Sequence, residues 1–144
     1  MADRGFRLTV LTGERAVIDE TVESLNAPGT EGYLGVLRDH ALLVTGLVPG
    51  KLTVVRPGGG REEYAISGGF LEVRHNVVTV LADALEPRDR VDLERAESAA
   101  ARARRRLAER ESGLDEARAE AALRRALNRI RIAESARRAA SLRG

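Results

Sequence analysis

The sequence predicts a two-part α+β protein, in which an N-terminal antiparallel β-sandwich or barrel precedes a C-terminal antiparallel α-helical hairpin. Turn residues recur roughly every 8–12 positions through the first ninety residues, a spacing typical of short antiparallel strands. After Asp92 the apolar residues change from alternation to steps of three and four, the period of an amphipathic helix. We therefore expect a β-domain over residues 1–86 and a helical domain over residues 87–144.

The first strand is predicted from an alternating pattern near the start of the chain. Phe6, Leu8 and Val10 alternate with other side chains, as in a half-buried strand. Further along, the stretch KLTVVRPGGGREEYAIS predicts two strands around a turn at residues 57–60. In GGFLEVRHNVVTVLAD, two more strands flank residues 75–76, where asparagine tolerates a positive φ.

The glycine clusters are candidates for phosphate-binding loops. Neither residues 58–60 nor residues 68–69 have the G-x-x-x-x-G-K-[ST] spacing, and no helical pattern follows either cluster. We therefore interpret both clusters, together with Pro49-Gly50, as turns at strand ends.

The first helix is predicted to begin at Asp92, whose carboxylate suits an N-cap. Gly113 suits a helix stop, and Asp115 suits the N-cap of a second helix. The short link between the helices predicts an antiparallel hairpin. The apolar stripe of the first helix is Leu93, Ala96, Ala100, Ala103 and Leu107, and that of the second is Ala119, Leu123, Ala126, Leu127, Ile130 and Ala133.

These stripes are thin because alanine buries little apolar area. The residues themselves are strong helix formers, so the helices should persist when their packing is lost. The sequence therefore predicts helices that can detach or rearrange.

Composition excludes several classes of site. The chain has no cysteine and two histidines, which excludes disulfides and makes a structural zinc site untenable. No apolar run approaches the roughly 18 residues of a membrane span, and the first ten residues lack a signal-peptide core, so we expect a soluble, unexported protein. Residues 1–90 hold 10 basic and 13 acidic residues, whereas residues 91–144 hold 14 and 9, so the helical part is the basic one.

Several motifs together resemble a known family. LGVLRDHALLVTGLVPGKL, SGGFLEV, VTVLAD, VDLERA and RRALNRI, in this order, are similar to the epsilon subunit of F-type rotary ATP synthases. The resemblance implies a non-catalytic subunit of the central stalk whose β-domain joins the gamma subunit to the c-ring. It also implies that the C-terminal helices permit ATP hydrolysis when compact, and block it when extended toward the alpha and beta subunits. The location implied is peripheral, on the cytoplasmic face of a bacterial membrane.

The resemblance also implies that ATP is a regulatory ligand rather than a required cofactor. VDLERA matches the family's nucleotide-binding pattern. The implied contacts are Glu86, Asp92, Arg95, Arg102, Arg125 and Arg129. Guanidinium groups suit a triphosphate because they form charge-assisted hydrogen bonds with it.

Two loops are implied to contact other subunits. The loop at Glu31, Gly32 and Tyr33 would face the c-ring, and His40 with its neighbours would face gamma. The sequence departs from the family pattern at Asp39, where glycine is usual, and at Tyr33, where some members carry an acid.

Other interpretations of the same residues remain open. Arginines at helical spacing are commonly a solvated face, and Arg104-Arg105-Arg106 and Arg137-Arg138 are assigned to it or to acidic subunit surfaces. An arginine-rich nucleic-acid-binding or scaffolding protein is the alternative function, although residues 91–144 contain no aromatic side chain for base stacking. Asp39 and His40 do not indicate a catalytic site, since neighbouring residues of a strand point to opposite faces and no nucleophile motif is present.

Overall fold

The computed structural model describes residues 5–13, 15–109 and 115–143. By its internal contacts the chain divides into two compact units, Met1–Pro87 and Arg88–Gly144. Gly113, the predicted helix stop, lies outside the described residues.

The first unit is an eight-stranded β-sandwich built from one open sheet. The hydrogen-bonded order is β2-β1-β7-β6-β5-β3-β4, and β8 pairs with β6 beside β7. The strands are β1 (Phe6–Leu11), β2 (Ala16–Val22), β3 (Ser24–Gly29), β4 (Gly32–Val36), β5 (Leu43–Val55), β6 (Arg61–Arg74), β7 (Val77–Ala82) and β8 (Leu85–Pro87). The prediction of a β-sandwich followed by two helices is confirmed, and the open sheet is not a closed barrel.

The strand pairs are antiparallel with one exception. β1 and β7 pair in parallel, with Leu8 opposite Val78 and Val10 opposite Val80. More than sixty residues separate these strands along the chain, so no hairpin fixes their relative direction.

One hydrophobic core lies inside the sandwich. Alternate residues of β1 and β7 point into it, as the period of a strand requires. Side chains from β1 through β7 meet in this core, and the largest fully buried ones are Phe6, Leu8, Leu25, Leu52, Ile66 and Leu71.

Two of the predicted turns are instead positions inside long strands. Pro49-Gly50 lies within β5, and Gly68-Gly69 lies within β6, so the prediction of strand ends there was wrong. Gly69 has a φ of 143°, and a Cβ on it would collide with the carbonyl oxygen of Leu81 on β7. These residues allow close approach between strands rather than a reversal of the chain.

The other two predicted turns are observed. Residues 57–60 connect β5 to β6, and His75 and Asn76 connect β6 to β7. The φ values of His75 and Asn76 are 49° and 61°. Two successive positive values are those of a tight hairpin turn whose twist matches the flanking strands.

The second unit contains two helices that pack on each other, α1 (Leu93–Glu109) and α2 (Glu116–Arg143), after a 3₁₀ turn at Arg88–Arg90. Both predicted N-caps are observed. Asp92 Oδ1 accepts a hydrogen bond from the Arg95 amide at 3.0 Å, and Asp115 Oδ1 accepts one from the Arg118 amide at 3.0 Å. Neither described helix is apolar enough over a sufficient length to cross a membrane.

The buried face of the helices consists mainly of alanine. The alanines of both predicted stripes are buried, whereas the leucines and Ile130 are only half-buried. α2 also buries Asn128 and Ile132, which lie on another face and were not in the predicted stripe. Buried alanines supply little apolar area per residue.

Candidate functional site

Four arginines of the implied nucleotide site lie on the two helices of the second unit. Arg95 and Arg102 are exposed on α1, and Arg125 is exposed on α2. Arg129 is half-buried and has interactions of its own. Residues seven apart, or four apart, lie on the same face of a helix, so each pair shares one face.

The contact between Arg88 and Ser135 locates the two pairs along the helices. The Arg88 Nη2 atom donates to the Ser135 carbonyl at 2.8 Å, so the start of the unit lies beside the second half of α2 and the helices run antiparallel. Arg95 is seven residues after Arg88, and Arg129 is six residues before Ser135. With a rise of about 1.5 Å per residue, Arg129 lies about 9 Å along α2 from Ser135, and Arg95 lies in the first turn of α1, the end of that helix nearest to Arg88.

The arginines also share a position relative to the buried stripes. Arg95, Arg102 and Arg125 each directly precede a buried alanine: Ala96, Ala103 and Ala126 respectively. Side chains one residue apart differ by about 100° around a helix. If the alanine stripes face each other, the same offset on two antiparallel helices places all three arginines on one side of the pair. Arg129 lies on that side as well, since it follows Ala126 by three residues.

Asp92 and Glu86 are placed differently from the arginines. Asp92 is exposed at the start of α1, and its Oδ1 atom already caps the helix. Glu86 belongs to the first unit, where it lies on β8 opposite Ala65 of β6 and is half-buried with interactions of its own.

The remaining arginine clusters are solvent-facing. Arg104, Arg105 and Arg106 are all exposed on α1, and Arg137 and Arg138 are exposed on α2. Exposed side chains of this kind are those expected of a solvated face.

The loop assigned to the c-ring is the turn between β3 and β4. Glu31 and Gly32 are exposed there, and Gly32 has a φ of 125°. Tyr33 has an exposed ring, but its hydroxyl accepts a hydrogen bond from the Lys51 amide at 2.9 Å. That bond lies beside the shift in the β3–β5 register. The hydroxyl therefore helps to hold the sheet together, and it retains its own proton to donate elsewhere.

His40 lies in the loop between β4 and β5. Its amide donates to the Leu37 carbonyl at 3.3 Å, and its Nδ1 atom lies 2.8 Å from the Ala41 carbonyl. A carbonyl only accepts, so this contact places a proton on Nδ1. The preceding Asp39 has a φ of 60°, a conformation that glycine adopts freely and aspartate tolerates. The departure from the family's glycine is therefore accommodated by the backbone.

The sequence interpretation missed an exposed apolar surface next to His40. Alternate residues of β5, β6 and β7 point outward, and Leu42, Val44 and Phe70 are 75%, 69% and 62% exposed. We call this surface the apolar face: Leu42, Val44, Phe70, Val77 and Leu81. The available sequence signal was that Phe70, Val77 and Leu81 occupy the outward phase of the alternation, where Glu72 and Thr79 also lie.

An open groove of about 430 Å³ lies on the first unit, along β3 and β5. Lys51 and Arg61 line it, and both pair with Glu63, at 3.5 and 3.1 Å. Their charges are therefore partly compensated within the protein. Within the described part of the chain, no group of three or more histidine or acidic side chains is arranged to hold a metal ion.

Comparison with known families matches both parts of the chain. Residues 5–88 match the family described as ATP synthase, Delta/Epsilon chain, beta-sandwich domain. Residues 89–134 match the family described as ATP synthase, Delta/Epsilon chain, long alpha-helix domain.

Individual proteins match over most of their length. The ATP synthase epsilon chain of Moorella thermoacetica is 49% identical over 128 residues, covering 89% of this chain and 96% of the relative. That of Herpetosiphon aurantiacus is 46% identical over 129 residues, covering 90% and 94%.

Two solved structures contain chains of similar fold. A chain of the Euglena gracilis mitochondrial ATP synthase, solved as its OSCP/F1/c-ring part, matches with a TM-score of 0.73 and 29% identity, covering 89% of this chain and 80% of that one. A chain of the Tetrahymena thermophila mitochondrial ATP synthase central stalk and c-ring matches with a TM-score of 0.58. Its 18% identity supports a common fold alone.

Proposed function

This chain belongs to the ATP synthase delta/epsilon chain family, and from that premise we propose that it is the epsilon subunit of a proton-translocating ATP synthase. The observation that carries the proposal is the match of both units, in one chain, to the two domain families. As a subunit of the complex it performs no catalysis itself. It is peripheral to the bacterial cell membrane, on the cytoplasmic face of that membrane.

The β-sandwich is proposed to couple the gamma subunit to the c-ring. The apolar face and the loop at His40 would contact gamma, and the turn at Glu31, Gly32 and Tyr33 would contact the c-ring. Exposed apolar residues on this side of the sheet, with Phe70 directly opposite Leu81, support a protein partner at the first of these surfaces, because burying them against a partner is favourable.

The helical unit is proposed to regulate ATP hydrolysis. In the compact state it permits hydrolysis, and in the extended state it reaches the alpha and beta subunits and blocks it. The thin alanine stripe supports this proposal, since a small buried area gives the compact packing only a modest advantage over other arrangements.

ATP is proposed to bind the compact helices and to favour that state. Arg95, Arg102, Arg125 and Arg129 would bind the phosphates, and Asp92 would make a polar contact. The shared side of the four arginines supports this assignment. A ligand present at 100 times its dissociation constant stabilises the state that binds it by about 2.7 kcal/mol.

Co-purification from native membranes tests the subunit assignment. A tagged copy of the chain should recover the alpha, beta and gamma subunits together with the c-ring. Recovery of nucleic acid without those subunits would instead support the alternative of an arginine-rich nucleic-acid-binding protein.

Single cysteines test the orientation of the sandwich, because the chain has no native cysteine. Glu31→Cys should crosslink to the c subunit in the assembled enzyme, and Val44→Cys should crosslink to gamma. Both positions are exposed strand or turn residues. The reverse pattern would show that the two surfaces have been assigned to the wrong partners.

Calorimetry tests the nucleotide site. Arg95→Ala and Arg125→Ala should weaken ATP binding about tenfold or more, since each removes a charge-assisted hydrogen bond. Arg105→Ala is the matched control, an exposed arginine on α1 outside the proposed set. Equal ATP affinity in wild type and all three variants would assign these arginines to a solvated face.

A further inference from the structure

Asn76, in the turn between β6 and β7, joins three distant segments of the first unit. Its Nδ2 atom donates to the Gly5 carbonyl at 3.1 Å, and its Oδ1 atom accepts from the Asp39 amide at 2.8 Å. Its own carbonyl accepts from the Arg7 amide at 3.2 Å. One residue thus connects the start of β1, the β6–β7 turn and the loop before β5.

The primary amide of asparagine is suited to this position. The Gly5 carbonyl requires a donor and the Asp39 amide requires an acceptor, and an amide side chain supplies both within one short group. An aspartate would retain the acceptor but place negative charge against a carbonyl oxygen. The hydrogen bond to Gly5 is partly buried, so water competes less for it than at a fully exposed site, whereas the hydrogen bond to the Asp39 amide is exposed.

The hydrogen bond to Asp39 is made at the most constrained point of the loop. Asp39 has a φ of 60°, and the His40 amide closes a turn on the Leu37 carbonyl. A non-glycine residue in the left-handed region persists where its surroundings hold it there. Asn76 Oδ1 is one such contact, since it binds the amide of the residue that has this φ.

The loop continues directly into the apolar face. Leu42 lies between His40 and the start of β5 at Leu43, which pairs with Val73 near the end of β6. Val77, the first residue of β7, follows Asn76 immediately. The position of the loop therefore decides whether His40 and the apolar face form one continuous surface.

We propose that Asn76 is a positioning residue for the gamma-contact surface: it holds the loop at residues 37–40 against the β6–β7 turn, so that the loop and the apolar face meet gamma as one surface. This inference rests on the proposed function, which assigns His40 and its neighbours to gamma. The role of Asn76 is indirect, since it acts through the backbone of Asp39. The turn therefore does more than reverse the chain.

Two glycine substitutions in the same turn separate the side chain of Asn76 from its backbone. His75 and Asn76 both have positive φ values, which glycine adopts without strain, so the backbone cost of either change should be similar. Only Asn76→Gly removes the hydrogen bonds to Gly5 and Asp39. His75→Gly is therefore the matched control, and Asn76→Asp is the conservative variant that retains the acceptor for the Asp39 amide.

The experiment measures amide hydrogen exchange at Asp39 and affinity for purified gamma subunit, in the full chain. We expect Asn76→Gly to accelerate exchange at Asp39 at least tenfold and to weaken gamma binding about tenfold, about 1.4 kcal/mol. His75→Gly should change both less than twofold. Asn76→Asp should retain most of the protection of the Asp39 amide that wild type shows.

The outcomes separate the inference from the proposed function. If wild type binds gamma and Asn76→Gly binds it as tightly as His75→Gly does, the positioning role is overturned while the proposed function stands. Unchanged Asp39 exchange in Asn76→Gly overturns it as well. If wild type fails to bind gamma at all, the assignment of this surface fails, and with it both proposals.

Discussion

At the scale of single residues, Arg56 links two carboxylates from different strands. Its guanidinium contacts Glu20 of β2 at 2.7 Å and Glu62 of β6 at 2.5 Å. Two hydrogen bonds raise the pKa of Arg56 above its usual value, the larger effect coming from Glu20 and the next from Glu62. Arg56 thus remains a cation throughout the accessible pH range, and it connects the edge strand β2 to the end of the β5–β6 turn.

The neighbouring Tyr64 is buried, and burial is the main cause of the increase in its pKa above the ordinary value. The folded state therefore holds this phenol proton more tightly than the unfolded state does. The contribution of this phenol to the free energy of unfolding is complete below the unfolded pKa of about 10, and it is lost as the pH rises through the folded pKa. We expect the urea concentration at the unfolding midpoint to decrease once the pH exceeds about 10.

Tyr64→Phe removes the titrating group and should make that decrease shallower. The measurement is a series of urea unfolding curves between pH 7 and pH 11 for wild type and variant. Since the variant also loses a hydroxyl, its midpoint at pH 7 provides the reference for its own series. A variant whose midpoint falls as steeply as that of wild type would show that other groups cause the alkaline loss.

At the scale of the secondary-structure elements, the long strand β6 depends on a glycine. A Cβ at position 69 would overlap the Leu81 carbonyl oxygen of β7, whereas Gly58 has open space around it. Both glycines have positive φ, at 143° and 93°. The two positions therefore separate backbone strain from steric overlap.

We expect Gly69→Ala to destabilise the protein by about 3 kcal/mol or more, and Gly58→Ala by about 1 kcal/mol. At position 58, alanine is destabilising only because its backbone disfavours a positive φ. At position 69, alanine must also displace a neighbouring strand. Urea unfolding at pH 7 measures both. Similar losses in the two variants would mean that β7 moves aside at little cost.

The start of the helical unit is tied to α2 by an arginine. Arg88 donates to the Ser135 carbonyl, whereas Arg90, in the same 3₁₀ turn, is exposed. Arg88→Ala should increase amide exchange of α2 near Ser135 about tenfold, since a charge-assisted hydrogen bond contributes about 1.5–3 kcal/mol.

Arg90→Ala is the control for this prediction, and it should leave exchange in α2 unchanged. Because both changes remove one positive charge, a general electrostatic effect would appear in both variants. Equal exchange in Arg88→Ala and Arg90→Ala would show that the contact with Ser135 does not hold this end of the unit.

At the scale of the whole molecule, the contacts divide the chain at residues 87 and 88, and the core of the first unit is made of its own strands. We expect residues 1–87 to fold alone, because a domain with its own hydrophobic core can form independently. A cooperative urea transition of this fragment, monitored by circular dichroism, is the expected result.

The same fragment tests whether the helices complete the core. Broad, non-cooperative unfolding, or binding of a hydrophobic dye at neutral pH, would indicate a loosely packed fragment that requires residues 88–144. Full-length protein in the same buffer supplies the reference transition.

The strand alternation and the helix caps could be predicted from the sequence, because each depends on residues close together in the chain. Alternation at Phe6, Leu8 and Val10 follows from the geometry of a strand, and Asp92 and Asp115 cap helices through amides three residues away. Gly68 and Gly69 were misinterpreted, because a glycine that terminates a strand and one that admits a neighbouring strand have the same local signature. The difference between them is the carbonyl of Leu81.

The candidate nucleotide site was also only partly predictable from the sequence. The spacing of Arg95 and Arg102, and of Arg125 and Arg129, follows from the helical period and was available from the sequence. The antiparallel alignment of the two helices is seen only in the structure, from the contact between Arg88 and Ser135 and the packing of α1 on α2. No pattern in the sequence indicated that Asn128 and Ile132 would be buried on a second face of α2.

The sequence by itself determined the two-part architecture, the helix caps, the turns at residues 57–60 and 75–76, and the family, because each depends on residues close together in the chain or on motifs in a fixed order. Only the tertiary structure decided that Asn76 binds Gly5 and Asp39, that Tyr33 binds the backbone of Lys51, and that hydrophobic side chains of β5–β7 face outward. These features join segments far apart in the chain. The physical reason is that the partner of a polar group, or the exposure of an apolar one, is set by whichever strand the fold brings next to it.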